Sequence, residues 1–525
     1  MSTTERDYAV RPETACLIGI TLLGAFARLY ELADCSLWYD ECASLYLGRY
    51  VSHPWELFNS AHNTEPPLNA IITWGWYHLV RLFTDFPVTS WQNDFAIRLL
   101  PCLLSTATIP VLYFLVKKLL DDAWAALLAG LLFAISPFYI YYGQELRVYA
   151  FIVPAALITM YLMLRALEDG GLRYWVGLTL GLTVLLYSHF FSVWTIFTFS
   201  VYFILLWPFE RKHIGKWTLA NAAGLVLMAP GLMLAYELNQ MVKTIVYKWS
   251  DPPTFKTMLV TFKLFFAGYG PTAWAYWPLF GLAAVLHFLG LAALARHRWR
   301  AAVFIAVFTW VPLIGNVLLW ASRDFSFYEH RLFVLSGVTA IIGVAAGIRA
   351  LPLLPLRAGV LAVWILFTLP MLRDLYQHRL HPLPLHRIGL SDKVDFRDAA
   401  AYIEANWQEG DLTVVPHHFF IYSLHHYLTK PHVRIGMDMH HYREHLKAFA
   451  HKELSDNHGL APLVKEEATK DAKRLWYLES HGTTFEWKPE TEPIRAWLDA
   501  NWKKSEVQEF DGLTLVLYTR PQAAN

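Results

Sequence analysis

Charge is what this chain has least of. Of its 525 residues only 17% are Asp, Glu, Lys or Arg, whereas 55% are hydrophobic and 16% aromatic. A soluble protein of this length carries more charge and interrupts its apolar runs more often, so a fully water-exposed globular fold is excluded. Cysteine is scarce too: Cys16, Cys35, Cys42 and Cys102 are the whole complement, too few for a disulfide framework. Cys35 and Cys42 bracket an acid pair and could join, but free thiols are the expected state. There is no internal repeat and no low-complexity tract. The polar start MSTTERDYAVRPET runs into an apolar span followed by ELADCS. That segment lacks a small-x-small cleavage pattern, so the first helix is expected to be retained.

Long apolar runs are what is present. Read between charged or Pro/Gly breaks, they give about eleven stretches near the ~20 residues that cross a bilayer core. They fall at 15–32, 97–116, 123–141, 148–165, 174–188, 190–208, 217–236, 276–295, 301–320, 332–348 and 354–372. With the N-terminus inside, the even-numbered spans end in connections holding twelve Lys or Arg, against three (Arg147, Arg323, Arg331) in the short far-side loops. That asymmetry is the positive-inside signature. It puts the tail beyond residue 372 outside the cytoplasm.

Two long far-side loops remain. Residues 33–96 carry SLWYDE and then TEPPLNAIITWGWYHLVRLF; Pro66-Pro67 suits a first helical turn, and the helix that follows reads as amphipathic and interfacial. Residues 237–275 are basic, against the local trend, which points to an anionic ligand. From Arg373 the composition changes. FRDAAAYIEANW, FFIYSLHHYL and IRAWLDANW read as helices, DLTVVP and RLWYLES as strands, and EFDGLTLVLYTR as a strand or hairpin turning at Asp-Gly. The expected organisation is a membrane domain at 1–376 and an extracytoplasmic α/β domain at 377–525.

The unusual residues gather at the far-side ends of the spans, while helix interiors hold almost no ionisable groups. A pump would place such groups along a path near mid-membrane. A rim on one side favours an enzyme at the outer interface. Its carboxylates, Asp40, Glu41 and Glu65, can accept a proton from an attacking hydroxyl. Arg147, Arg331 and the loop lysines Lys243 and Lys248 can hold phosphate. Tyr142, Gln144, Tyr149 and His189 supply a polar and aromatic setting for a bound substrate. Adjacent residues do not share a helix face, so only one of Asp40 and Glu41 is expected to face substrate. Glu65 and His189 suit a divalent metal, although a buried, hydrogen-bonded histidine is the commoner state; no cofactor is required. Arg28 is read as structural, and the tail pairs His417-His418, His425-His426 and His440-His441 as surface histidines.

SLWYDE after the first span, TEPPL in the first outer loop, YYGQELRVYA after the third span and YSHFF further on resemble the GT-C superfamily. The branch most similar is that of protein O-mannosyltransferase-like and aminoarabinose-lipid A transferase-like enzymes. The resemblance covers the membrane part and, more loosely, the tail. It implies a polytopic α-helical glycosyltransferase of the plasma (inner) membrane, transferring a sugar with inversion from a polyprenyl-phosphate donor to an extracytoplasmic lipid, glycan or protein. Membrane lipids are its other partners, and nucleic acid is not one. It also implies that Asp40 is the catalytic base, that Glu41 supports the site and that Arg147 lies at the donor phosphate. A lysine that follows the first-loop Glu in some lipid A-modifying relatives is Pro66 here, which weakens that particular acceptor. Two rivals remain: an oligosaccharide ligase or polymerase using a diphosphate-linked donor, which needs no acid pair, and a lipid or solute transporter.

Overall fold

The computed structural model describes residues 11–58, 66–242, 252–268, 273–322, 328–379, 394–414, 421–430, 432–433, 469–480 and 495–521. Its first part is helical: α1 (Pro12–Leu29), α2 (Tyr39–Tyr50), α3 (Pro67–Phe83), α4 (Trp91–Leu120), α5 (Ala123–Ile135), α6 (Pro137–Gly143), α7 (Tyr149–Asp169) and α8 (Leu172–Ser188). These are followed by α9 (Ser192–Glu210), α10 (Ile214–Val242), α11 (Phe255–Ala267), α12 (Ala273–His297), α13 (Trp299–Trp320), α14 (Val334–Ala350) and α15 (Leu354–Tyr376). Every apolar stretch expected to span falls on one of these helices, except 123–141, which is divided between α5 and α6. By length and apolarity, eight runs among the described residues can cross a bilayer, or nine if the bent α5–α6 pair is one crossing. One of those runs, Ser192–Glu237, contains both α9 and α10, and α8, at 17 residues, is slightly short.

Three features of the bundle differ from a set of simple spans. The third expected span breaks by 64° between α5 and α6, because Pro137 has no N–H to continue the ladder. The 30-residue α4 is about 45 Å long at 1.5 Å per residue, longer than a ~30 Å hydrocarbon core. Asn93 and Asp94 lie buried in its first turns. The 237–275 loop contains α11, whose Phe262, Phe265 and Phe266 are buried. The basic loop expected there is in this part a packed helix, and even Lys263 lies inside, its Nζ 4.5 Å from the Trp277 ring centre.

α14 is the central helix, buried along nearly its whole length. It crosses α12 with backbone against backbone. A Cβ at Gly290 would fall on the Gly343 carbonyl, and one at Gly347 on the Leu286 carbonyl. Helices in lipid associate through small residues that permit such approach. The basic connections collect at one end of the bundle, where Arg298 pairs with Asp121 (2.9 Å), Arg349 with Asp122 (2.8 Å) and Arg300 with Glu210 (2.8 Å).

At the other end sits a mixed sheet formed wholly after α15. Its strands are β1 (Asp411–Val414), β2 (His432–Val433), β3 (Arg474–Ser480), β4 (Lys503–Phe510) and β5 (Leu513–Thr519), in the order β2-β1-β3-β5-β4. β1 runs parallel to β2 and β3, whereas β5 is antiparallel to β3 and β4. The β4–β5 turn is Asp511-Gly512, with Gly512 at φ +72°, a conformation that favours glycine. α16 (Phe396–Ala405), capped by the Asp395 side chain on the Asp398 N–H, and α17 (Ile421–Tyr427) complete the layer. Packing does not respect the chain's division into membrane part and tail. Leu37, Cys42, Leu45, Tyr46, Ile97 and Leu146 share one apolar core with Phe396, Ile403, Tyr427 and Trp476. His426, expected at the surface, is buried beside this core, because α17 packs on the bundle; the His417-His418 and His440-His441 pairs lie outside the described residues.

Gly347→Val would drive a branched side chain into the α12 backbone. We expect a loss of roughly 1–3 kcal/mol or more, read as a lower melting temperature and poorer monodispersity in detergent.

Candidate active site

The Asp40–Glu41 pair lies in the first turn of α2. The Glu41 carboxylate accepts the Trp38 N–H at 3.2 Å, so one of the acids itself starts the helix. Successive helical residues point about 100° apart, and here that angle separates two environments. Glu41 is fully buried. Arg98 holds it with a fork, Nε to Oε1 at 2.9 Å and Nη2 to Oε2 at 2.6 Å, and the Leu146 N–H donates to Oε1 at 2.9 Å. Asp40 keeps 18% of its side chain exposed.

Two arginines converge on Asp40. Arg331 Nη1 lies 3.1 Å and Arg147 Nε 3.8 Å from Asp40 Oδ2. Arg147 comes from the loop between α6 and α7 and is steadied by donation from Nη1 to Ser44 Oγ at 2.8 Å. Arg331 comes from a short 3-10 turn before α14, with Nε 2.5 Å from Glu329 Oε2 and its guanidinium over the Trp38 ring. Asp40, Glu329, Arg147 and Arg331, all mostly buried but with an edge open to solvent, thus balance in formal charge. Beside them a small cleft, open to solvent and with room for little more than a water molecule, is lined by Tyr149, Ile152, His189, Phe191, Leu332 and Leu335 among others. Its wall mixes apolar side chains with the polar groups of Tyr149, His189, Ser192 and Thr195.

The other expected residues divide. Tyr149 lines the cleft and packs edge-on against Tyr142, with ring centres 5.0 Å apart. His189 also lines it and accepts the Phe191 N–H on Nδ1 at 3.0 Å, which leaves Nε2 as the protonated nitrogen of a neutral ring. Gln144, expected to bind substrate, instead caps α1: its Nε2 donates to the Arg28 and Tyr30 carbonyls at 3.1 and 2.9 Å. The end of a helix leaves such carbonyls without partners, and a side-chain amide meets that need. Glu41 is likewise a positioning group, since Arg98, Leu146 and Trp38 engage its oxygens inside the protein. Glu65, Lys243 and Lys248 lie outside the described residues, and so does the Glu65–His189 metal pairing. Among the described residues no cluster of three His, Cys, Asp or Glu can hold a metal.

Arg28 is structural as read, buried and bonded to Ser105 Oγ at 2.7 Å and to the Gly24 and Ala134 carbonyls. Cys35 and Cys42 are free thiols. Burial, then the Glu41 charge, holds the Cys42 thiol well above its usual range, so it is no nucleophile. Sequence reasoning missed Arg98, Ser44 and the tail residues described below. A lone arginine in the first turn of an apolar span, with an acid upstream, was the available signal for Arg98.

Comparison with known proteins bears on the fold. Residues 73–234, which include Arg147, Tyr149 and His189, match the family model described as dolichyl-phosphate-mannose-protein mannosyltransferase. No curated protein matches in sequence. Among solved structures, the chain is similar to ArnT from Cupriavidus metallidurans in the apo state, with TM-score 0.59, 14% identity, and coverage of 96% of this chain and 97% of that one. The same protein bound to undecaprenyl phosphate gives a TM-score of 0.57 at 14% identity over the same shares. The archaeal oligosaccharyltransferase AglB from Archaeoglobus fulgidus, in complex with an inhibitory peptide and a dolichol-phosphate, gives 0.53 at 10% identity, covering 97% of this chain and 74% of that one. The chain therefore shares its fold with ArnT and AglB over nearly its whole length, as the sequence motifs led one to expect.

Glu41→Ala would strand Arg98 as a buried, unpaired charge, and we expect a stability loss of roughly 3–5 kcal/mol. Asp40→Asn, at a half-open surface, should shift the melting temperature by no more than roughly 2 °C. Thermal unfolding followed by size-exclusion fluorescence distinguishes the two.

Proposed function

We propose that this chain is an inverting glycosyltransferase that takes a sugar from a polyprenyl-phosphate donor and gives it to an extracytoplasmic acceptor, with Asp40 as the base. The observation that carries this reading is the placement of a partly exposed carboxylate between two guanidiniums, the three drawn from separate parts of the chain. The arginines suit a phosphate. ArnT and AglB bind undecaprenyl phosphate and dolichol-phosphate respectively, which supports the same donor class here. The basic connections at the opposite end of the bundle support an extracytoplasmic site.

Without donor, Asp40 neutralises Arg331. An arriving phosphate competes for both guanidiniums and loosens that pairing, leaving the carboxylate able to accept a proton. The acceptor O–H or N–H gives its proton to Asp40 as its heteroatom bonds to the anomeric carbon. The bond from that carbon to the phosphate oxygen breaks on the opposite face, and its electron pair stays on the phosphate. A phosphate monoester loses its second proton near pH 6, so this leaving group needs no strong general acid. Glu329 keeps the Arg331 fork oriented throughout.

In proteoliposomes offered a panel of undecaprenyl-phosphate sugars, Asp40→Asn should lower turnover by about 10²–10⁴-fold while still binding undecaprenyl phosphate. Arg331→Ala should weaken that binding by about 10- to 100-fold, as expected for a charge-assisted contact. Near-wild-type transfer by Asp40→Asn would defeat the base assignment and favour a diphosphate-dependent ligase.

A further inference from the structure

We propose that the α/β domain belongs to the catalytic apparatus: its Arg397 and Tyr427 are positioning residues that hold segment 32–38, and through it Asp40, in register with Arg147 and Arg331. This rests on the reading of Asp40 as the base. The segment joins α1 to α2 in no regular structure, so its backbone polar groups need partners from elsewhere. Two guanidiniums supply them. Arg98 donates to the carbonyls of Leu32, Cys35 and Ser36 at 3.2, 2.6 and 2.7 Å. Arg397 donates to those of Ala33 and Asp34 at 3.0 and 2.9 Å. Five successive carbonyls are thus gripped, two of them from the tail.

Further contacts to the segment also come from the tail. The Leu37 N–H, three residues before Asp40, donates to the Tyr427 hydroxyl at 2.8 Å. Ser36 Oγ donates to the Val394 carbonyl at 2.8 Å and accepts the Phe396 N–H at 2.9 Å. Asp94 joins the two tail residues, accepting from Arg397 at 2.9 Å and from the Tyr427 hydroxyl at 2.8 Å. Burial, then the Asp94 charge, keeps that hydroxyl protonated and able to donate. His378, just after α15, adds a contact with the Asp34 carboxylate at 2.8 Å.

The Tyr427 ring packs in the shared core, but the polar groups of these two side chains do little for the tail's own hydrogen bonding. Both Tyr427 hydroxyl bonds, and every hydrogen bond described for the Arg397 guanidinium except a long 3.4 Å contact to Asp398, lead out of the domain. Their polar groups are directed at the segment that carries the base and at Asp94 on α4. A domain serving only to recruit an acceptor would not need this arrangement. Rigid support of this kind matters to chemistry, because an error of 1 Å in a catalytic group can cost about 10²-fold in rate.

The test uses full-length Tyr427→Phe and Arg397→Gln in nanodiscs, with three readouts. Hydrogen–deuterium exchange of the 32–46 peptides should rise about tenfold at Leu37 in Tyr427→Phe, as expected for one lost hydrogen bond. Exchange in β3 and β5 should stay as in the wild type. Undecaprenyl phosphate affinity should remain within about twofold, while donor turnover falls about 10- to 100-fold at unchanged KM, the pattern of lost transition-state interaction. Unchanged exchange at 32–46 in both variants would overturn the proposal. Loosening shared equally by β3 and β5 would overturn it too, since the residues would then be ordinary structural ones. Failure of the wild type to bind undecaprenyl phosphate would count against the donor reading alone, with the exchange result still deciding the grip.

Discussion

The molecule depends on how it satisfies a short stretch of irregular backbone at the end of its first helix. Residues 32–36 leave the bundle where the α/β domain packs on them, and Leu32, Ala33, Cys35 and Ser36 are buried there, so their carbonyls depend on partners within the protein. A buried polar group without a partner costs free energy comparable to a lost hydrogen bond. Arg98 and Arg397 meet that need together, one from the membrane part and one from the tail. Their charges are in turn compensated by Glu41 and Asp94, both fully buried. This network makes the loop rigid, and the rigid loop makes Asp40 a defined feature of the surface.

Two adjacent acids consequently have opposite fates. Glu41 is consumed in holding the structure, and Asp40 is left at a half-open edge facing two arginines. The pairing of Asp40 with Arg331 leaves the resting site electrically balanced, so an anionic ligand has to displace a carboxylate to bind.

The bundle supports this end through features unrelated to the chemistry. α4 delivers Asp94 and Arg98 to the loop. The glycine crossing of α12 and α14 sets the central helix, from whose leading turn Arg331 projects. The apolar core that joins α2 to α16, α17 and β3 makes the tail an extension of the active end.

Much of this was legible in the residues. Apolar runs of bilayer length marked the spans, basic connections marked one end, and period-two and helical patterns marked the tail's strands and helices. The motifs around Asp40 and Arg147 pointed to the fold that the comparisons find. These are local signals, carried by residues close in the chain, and burial in lipid or in a sheet face imposes them directly. What only the tertiary structure decided was partnership: that Glu41 faces Arg98 and not substrate, that Gln144 caps α1, and that Arg397 and Tyr427 reach back more than 300 residues to the loop before Asp40. The reason is physical. A guanidinium or hydroxyl carries no mark of which distant carbonyl it will satisfy, and that choice exists only once packing has brought the two together and removed the water between them.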